Sequence, residues 1–327
     1  MATIKDVAKK SGVGVGTVSR FLNNPELVSE KAKEKIRLAI SQTGYVRNEI
    51  GRSLKTNNPR NIALLVPSIF HNFFSAFAFN LEQELSKKDY RITICNSLTD
   101  VKKDKFYIDM LEAGKISGIV GFVFTDVDKL IHENMPFISM DRNFSNKVTR
   151  VSSDNYDGGY LAASYLNEIG CKKIGFVGTY SKSIDTDVKN RRNGFIKYVK
   201  EYNLDYIEYV VLDPIKDYEL MIKELFDNYL LGVDGIFVEN DNLALLIIEK
   251  AKKRGIDVPY DLSVIGYDGN PFQENQTPKL TTITQPIQEM TQVVAQELIN
   301  IIENKSNTIK DIKIKPRLTI GDTTKQI

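Results

Sequence analysis

The sequence predicts a small all-α head followed by a larger α/β body of two doubly wound parallel-sheet lobes. Two patterns in the 327 residues support this division. Apolar residues recur at helical spacing through the first 44 residues, whereas short apolar runs alternate with helical patterns from residue 61 onward. Such β-α alternation is typical of parallel sheets with helices on both faces, and its length suits two lobes.

The head pattern indicates three short helices. Thr3 can cap a first helix, which ends at Gly12, and a second helix follows a glycine turn at about residues 15–23. A third helix ends at Gly44, a natural C-terminal cap. Two short helices joined by a glycine turn predict a helix-turn-helix within residues 1–46.

A linker and two lobes follow the head. Residues 47–60 lose the apolar pattern and predict a hinge and linker, in which residues 48–54 can form a short helix if a partner or DNA holds it. The order of the remaining patterns predicts a two-lobed body over residues 61–327. The predicted first lobe covers about 61–152 and 284–310, and the second about 153–283 and 311–322.

The carboxyl ends of the predicted strands mark the expected ligand site. Ligands of doubly wound folds bind at these strand ends, so we expect a cleft between the lobes. The predicted strands end at Val66, Ile94, Phe124, Met140, Val177, Leu212, Val238 and Tyr267.

Positive charge is concentrated in the head. Residues 1–60 contain 12 Lys and Arg against 5 Asp and Glu, a net charge of +7, which leaves −5 for the rest of a chain whose total is +2. A basic head on an acidic body favours nucleic acid as a partner, because neutralised phosphates release counterions. A solvated basic segment is the alternative interpretation.

Several protein classes are disfavoured by the sequence. No apolar run approaches a transmembrane length and the N terminus lacks a signal-peptide core, so we expect a cytoplasmic protein. Cys95 and Cys171 lie beside apolar residues and are expected to be buried free thiols. GxxxxGK[ST], GxSxG and metal-spaced His/Cys motifs are missing, and His71 and His132 lie in different predicted loops. We therefore expect no enzyme activity, cofactor or metal.

Two head segments carry a family resemblance: TIKDVAKKSGVGVGTVSRFLNN and VSEKAKEKIRLAISQTGYVRNEIGRSLKTN. They resemble the DNA-binding head of the lactose/galactose repressor family. The body adds HNFFS, SSDNYDGGYLA, DGIFVENDNLA and PKLTTITQPI, so the resemblance covers essentially the whole chain. It implies that residues 61–327 form a periplasmic-binding-protein-like sensor that binds the effector and dimerises. The phrases ITICNS, MDRN and IGYDGNPFQEN are most similar to sucrose-operon repressors of Gram-positive bacteria, although ribose-type regulators share several of them.

The resemblance implies that the second helix reads the major groove of DNA. Arg20 can bind guanine with two hydrogen bonds, with a solvated surface arginine as the alternative. Gly16 has no side-chain donor, so sequence readout is expected to depend more on Arg20, backbone contacts and DNA shape. The implied DNA contacts are Thr3, Val15, Gly16, Thr17, Ser19, Arg20, Asn23, Tyr45, Arg52 and Leu54.

Leu54 resembles the family's leucine that wedges between base steps in the minor groove. Such wedges act in pairs, which implies a homodimer on a near-palindromic operator. A plain linker contact is the alternative role for Leu54.

The resemblance also implies a set of effector contacts in the cleft. Arg191 matches the family's arginine that binds ligand oxygens, whereas Phe73 and Phe74 match aromatic ligand contacts, although either can be a core residue. Asp157 is expected to cap a helix instead. The implied contacts are Phe73, Phe74, Asp141, Arg142, Asp154, Arg191, Asn240 and Asp268.

Pro214 departs from the family pattern, because many relatives carry a stacking aromatic residue there. Either Ile215 or Tyr218 substitutes for that residue, or hydrogen bonds hold most of the effector.

Together these features predict a sequence-specific DNA-binding repressor of a sugar-utilisation operon. A sugar or sugar phosphate between the lobes is expected to change operator affinity by a population shift, with induction favoured and co-repression as the alternative. A sugar-binding transport protein is disfavoured because it would carry a signal peptide and no DNA-binding head. A sugar-cleaving enzyme is disfavoured because it needs a tuned acid and base at a defined separation.

Overall fold

The chain forms two compact units, residues 1–59 and 60–327, which we describe separately. None of the helices in the described ranges is long and apolar enough to cross a membrane. The structure, a computed structural model, describes residues 2–46, 58–180, 186–212, 217–269, 277–304 and 308–326.

The first unit folds as the predicted helix-turn-helix head. Its helices are α1 (Ile4–Ser11), α2 (Val15–Asn23) and α3 (Glu30–Thr43), with a 3₁₀ turn at Pro25–Leu27. Thr3 caps α1, because its hydroxyl accepts a hydrogen bond from the Asp6 amide while the Asp6 carboxylate accepts one from the Thr3 amide at 2.8 Å. Buried apolar side chains from the three helices form a small core of Val7, Ala8, Val18, Ile36 and Ala39.

The first lobe of the second unit contains a parallel sheet. Its strands are β1 (Asn61–Val66), β2 (Arg91–Asn96), β3 (Gly118–Gly121), β4 (Phe137–Met140), β5 (Thr149–Ser153) and β11 (Asp311–Ile314). Its helices are α4 (Asn72–Ser86), α5 (Val101–Glu112) and α10 (Ile287–Asn304). The strand order is β11-β5-β4-β3-β1-β2. Because helices cover both faces, β1 is buried on both sides: Ile62 and Leu64 lie in the core with α4 and α10, and Ala63 and Leu65 in the core with α5.

The second lobe has the same plan. Its strands are β6 (Lys173–Tyr180), β7 (Asp205–Leu212), β8 (Gly235–Val238), β9 (Ser263–Asp268), β10 (Thr281–Thr284) and β12 (Arg317–Thr319). Its helices are α6 (Asn155–Glu168), α7 (Lys189–Glu201), α8 (Tyr218–Glu224, continued by a π-helical turn at Leu225–Tyr229) and α9 (Asp241–Lys253). The order is β12-β10-β9-β8-β6-β7, and only β12 of these described strands pairs antiparallel. The predicted doubly wound lobes are therefore confirmed.

The predicted boundary at residue 311 is wrong. We placed residues 311–322 in the second lobe, but β11 pairs in parallel with β5 of the first sheet. Ile312 and Ile314 pack against the first-lobe core, which holds the strand there. The chain therefore passes to the second lobe after Ile314, and it also changes sheet between β5 and α6 and between β10 and α10.

Both cysteines are buried free thiols, as predicted. Burial raises the pKa of the Cys95 and Cys171 thiols to about 11. Both side chains thus stay protonated near neutral pH, and a protonated thiol is a poor nucleophile.

Helices α6 and α7 approach each other so closely that glycine is required at their contact. A Cβ atom on Gly159 would lie 1.8 Å from the carbonyl oxygen of Arg191, and one on Gly194 would lie 1.9 Å from that of Tyr156. Backbone atoms cannot rotate away as side chains can. The absence of a side chain at Gly159 therefore sets the position of the backbone that carries Arg191.

We predict that Gly159→Ala destabilises the second unit. Alanine favours a helix by about 1 kcal/mol over glycine. Overpacking against fixed backbone costs about 1–3 kcal/mol or more, so the clash is expected to dominate. Thermal unfolding should show a melting temperature several degrees below wild type, whereas Asn193→Ala on the exposed side of α7 should change it little. A wild-type melting temperature for Gly159→Ala would contradict this account of the helix contact.

Candidate functional site

A polar cleft opens at the carboxyl ends of the second-lobe strands, where the sequence predicted a ligand site. Its volume is about 320 Å³. The lining residues are His71, Thr179, Tyr218, Glu239, Asn240, Asn242, Leu243 and Leu246. Asn240 is one of the eight residues that sequence reasoning assigned to the effector. The other seven are not among these lining residues.

Arg191 lies buried beside this cleft and is held from several directions. Its Nε donates to Oδ1 of Asn155 at 2.8 Å, and its Nη1 donates to the carbonyl oxygen of Glu239 at 2.6 Å. The guanidinium carbon lies 3.7 Å from the centroid of the Tyr267 ring, so the cation stacks on an aromatic face. Nη1 is also 3.6 Å from Oδ1 of Asp268. These contacts fix the direction of a positive charge that is only 6% exposed.

Asp268 ends β9 and faces the Arg191 cation. Its backbone has a φ of +121°, a left-handed value that is strained for a residue with a side chain. Oδ1 accepts a hydrogen bond from Nε2 of Gln285 at 2.8 Å, and Oδ2 lies 3.9 Å from Nε2 of His71. Burial raises the pKa of Asp268, while Arg191, His71 and Gln285 oppose that shift. The structure therefore brings together two of the predicted effector contacts, Asp268 and Arg191.

Asp141 lies in the same buried group of charges. Its φ is +56°, and its Oδ1 finds no hydrogen-bond partner among the described residues. Burial raises the pKa of Asp141 to about 7; Arg191 lowers it, and the negative charges of Asp187 and Asp268 raise it further. Asp141 therefore retains unused acceptor capacity next to the buried cation.

Asn155 and Asp187 join the two lobes, and sequence reasoning missed both. Nδ2 of Asn155 donates to Asp187 at 3.2 Å while its Oδ1 accepts from Arg191. The Asp187 amide donates to the carbonyl oxygen of Asp141 in the first lobe at 2.6 Å. Arg150 of β5 and Lys313 of β11 each place a nitrogen 3.7 Å from Oδ1 of Asp187. Only the position of Asn155 at the start of α6, where the chain changes sheet two residues after β5, could have indicated this role.

The loop after β8 supplies two polar cleft residues. The Glu239 carboxylate accepts hydrogen bonds from the Thr179 amide and hydroxyl, both at 2.7 Å. Asn240 caps α9, since its Oδ1 accepts from the Leu243 amide at 2.9 Å. Asn240 thus has a structural role as well as a place in the cleft wall.

Arg142 and Asp154 make contacts that do not involve the cleft. Arg142 donates to the carbonyl oxygens of Val123 and Thr125 and pairs with Asp128, all within the first lobe. Asp154 caps α6 by accepting from the Asp157 amide at 3.1 Å. The expected cap at Asp157 is therefore corrected: the helix begins two residues earlier than Asp157, and Asp154 has that role.

The aromatic residues after β1 separate into two environments. Phe73 is 5% exposed and packs edge-on against Phe122 in the first-lobe core. Phe74 is half-buried, and its ring centroid lies 5.3 Å from that of His71. Phe73 is therefore a core residue, whereas Phe74 supports a residue of the cleft wall.

Tyr218, one of the two candidates to replace the missing aromatic residue, lines the cleft from the start of α8. Pro214 and Ile215 lie outside the described residues. A tyrosine ring in the wall offers an apolar face, as the side chains of Leu243 and Leu246 do, beside the polar groups of the cleft.

The head presents one exposed face of α2. Val15 is 43% exposed, Arg20 and Asn23 are exposed, and a Cβ atom on Gly16 would meet nothing within 4 Å. These residues share one helix face, because Val15, Ser19 and Asn23 follow one another at four-residue spacing, as do Gly16 and Arg20. Ser19 is part of the same row, and its carbonyl oxygen accepts from Nδ2 of Asn23 at 2.8 Å.

The remaining predicted DNA contacts differ in their exposure and in the contacts that they make. Thr17 is half-buried, Thr3 is engaged with Asp6, and Tyr45 packs half-buried against the head core. Arg52 and Leu54 lie outside the described residues, so their roles stay predictions.

Known families match both parts of the chain. The family described as bacterial regulatory proteins, lacI family, matches residues 3–48, and the periplasmic binding protein-like domain matches residues 163–324. The sucrose operon repressor of Streptococcus mutans is 34% identical over 325 residues, covering 99% of each chain. The ribose operon repressor of Bacillus subtilis is 34% identical over 307 residues, covering 93% of each chain.

Solved structures resemble the fold. A LacI family regulator from Enterococcus faecium with bound ribose has a TM-score of 0.70 at 26% identity, covering 81% of this chain and 98% of that chain. The Lac repressor bound to ONPG has a TM-score of 0.83 and covers 99% of each chain, but at 21% identity it shows the fold alone. The identity to the sucrose operon repressor extends over nearly the whole of both chains. The family match to the head and the identity to this relative over nearly the whole chain show that the chain belongs to the lacI family of bacterial regulatory proteins.

Proposed function

We propose that the protein is a DNA-binding transcriptional repressor whose operator affinity is controlled by a small neutral sugar in the cleft. The observation that carries this proposal is the combination, in one chain, of an exposed helix-turn-helix face with a polar cleft beside the buried Arg191. The relatives named sucrose and ribose operon repressors support it. Acting on DNA, the protein is proposed to work in the bacterial cytoplasm.

The cleft wall favours a polyhydroxylated ligand. Thr179, Glu239, Asn240 and Asn242 supply hydroxyl, carboxylate and amide groups, and Tyr218 supplies a ring face. Sugar hydroxyls both donate and accept hydrogen bonds, and the C–H face of a sugar can pack on an aromatic ring. A volume of about 320 Å³ is at the small end for ligand pockets, which favours a monosaccharide.

The charges around the cleft favour a neutral sugar over a sugar phosphate. Glu239 lines the cleft, and Asp141 and Asp268 lie in the buried group around Arg191. Among the described lining residues, His71 alone can carry a positive charge. A phosphate would therefore approach the Glu239 carboxylate at a Coulombic cost that burial increases, while the Arg191 cation is already engaged by Asn155, the Glu239 carbonyl and Asp268.

A homodimer is part of the proposal. Apolar side chains are exposed along β2, the following loop and α5 of the first lobe: Ile94, Leu98, Val101 and Phe106. Exposed apolar groups at a sheet edge are expected to be covered by a partner. A two-fold dimer would place two heads on a near-palindromic operator.

Contacts between the two lobes can transmit sugar binding to a change in operator affinity. Asp187 of the second lobe contacts Asp141, Arg150 and Lys313 of the first, and Asn155 links Asp187 to Arg191. A sugar that binds one lobe arrangement better shifts the population towards it. We propose that the shifted arrangement holds the paired heads less well on DNA, so that the sugar induces transcription.

Operator titration with and without sugar tests this function. A palindromic DNA site selected from a random library should bind with high affinity in fluorescence anisotropy. One of D-ribose, D-fructose or sucrose should weaken that binding by about tenfold, within the usual range of allosteric coupling. Failure to enrich any site would contradict the DNA-binding role, and sugar binding without a change in DNA affinity would contradict the regulatory role.

We predict that Arg20→Ala weakens binding to the selected site by roughly 5–150-fold, since a bidentate guanine contact is worth about 1–3 kcal/mol. Discrimination should be lost at one base pair of each half-site. Lys35→Ala removes the same charge from the exposed face of α3 and should affect selected and random DNA equally. Unchanged sequence preference for Arg20→Ala would exclude this residue from base readout.

A further inference from the structure

The first lobe contributes one side chain to the described cleft wall. Seven of the eight lining residues belong to the second lobe, and His71 is the exception. His71 is the N-terminal cap residue of α4, and its carbonyl oxygen accepts a hydrogen bond from the Ser75 amide at 3.1 Å. The imidazole therefore moves with the first lobe whenever the lobes change their arrangement.

The imidazole faces a carboxylate of the second lobe. Nε2 of His71 lies 3.9 Å from Oδ2 of Asp268, which is longer than a hydrogen bond. The Phe74 ring packs on the imidazole with a centroid separation of 5.3 Å and restricts its orientation. His71 and Asp268 thus approach each other from different lobes without bonding directly.

Two buried polar atoms near the space between His71 and Asp268 make no hydrogen bond within the part of the chain that the structure describes. Nδ1 of His71 and Oε1 of Gln285 are buried and find no hydrogen-bond partner among the described residues. The Gln285 amide nitrogen meanwhile donates to Oδ1 of Asp268 at 2.8 Å, so Oδ2 is the oxygen that faces His71. Buried polar groups are normally paired, and a ligand is one way to pair such groups.

We propose that His71 is a specificity-determining residue of the sugar site, whose Nε2–H donates to a sugar hydroxyl that in turn donates to Asp268. This inference rests on the proposed function and names the side chain through which the sugar connects the lobes. A hydroxyl suits the position because it accepts from the imidazole and donates to the carboxylate. Because the two residues belong to different lobes, both bonds form only when the lobes are close, and the sugar thereby favours the close arrangement.

The chain provides a matched control for this proposal. Its only other histidine is His132, whose ring is exposed and lies 2.8 Å from the Glu112 carboxylate. Asparagine is a favourable N-terminal cap, so His71→Asn should preserve the start of α4. The pair His71→Asn and His132→Asn therefore makes the same chemical change inside and outside the cleft.

Calorimetric titration with D-ribose, D-fructose and sucrose should separate these variants. His71→Asn should bind the preferred sugar about tenfold more weakly than wild type, and His132→Asn should match wild type. One monodeoxy analogue of that sugar should lose affinity with wild type but not with His71→Asn, because the missing hydroxyl is the partner of the imidazole. A merely structural role would weaken every analogue equally.

Imidazole NMR gives a direct second measurement. In an untagged His132→Gln protein, His71 is the sole histidine, so its ring nitrogen signals are assigned without ambiguity. Those signals should shift on sugar binding. Equal sugar affinity for His71→Asn, with unshifted ring signals, would overturn this inference alone. Failure of wild type to bind any of the three sugars would overturn it together with the sugar part of the proposed function, while DNA binding would stand.

Discussion

The buried guanidinium of Arg191 organises the second unit around one fixed positive charge. A cation that is 6% exposed needs paired oxygens, and Asn155, the Glu239 carbonyl and Asp268 supply them. Asn155 begins α6, Glu239 follows β8 and Asp268 ends β9. These three segments must meet for the buried Arg191 cation to be paired. The cleft lies beside this convergence, and its polarity follows from the same requirement.

The same group of charges also connects the lobes. Asn155 follows the first change of sheet and bonds both Arg191 and Asp187, while Asp187 faces Arg150 and Lys313 of the first lobe. A ligand that alters the surroundings of Arg191 therefore acts on groups already in contact with the other lobe. This physical continuity is the basis on which we propose that sugar binding biases the lobe arrangement.

Local patterns predicted the elements well, because caps, glycine turns and apolar spacing depend on neighbours in sequence. The resemblance and its strand-end position predicted Asp268 as an effector contact; the structure brings it to Arg191, and the effector contact itself stays a prediction. Long-range contacts were harder to predict. Arg142 follows a strand as Asp141 does, yet it turns into the first-lobe core, and the burial of Phe73 depends on Phe122, which directly follows β3. The link through Asn155 requires two loops to meet, which no local pattern encodes.

The central claim is that Arg191 couples sugar to DNA affinity, and Arg191→Lys tests it most directly. Lysine keeps the charge but cannot reproduce the fork of donors or the stacking on Tyr267. Operator titration of Arg191→Lys should give near wild-type affinity without sugar and little or no response to the sugar that weakens wild-type binding. Arg192→Lys, at an exposed neighbour paired with Glu208, should respond as wild type. A full sugar response in Arg191→Lys would contradict the account.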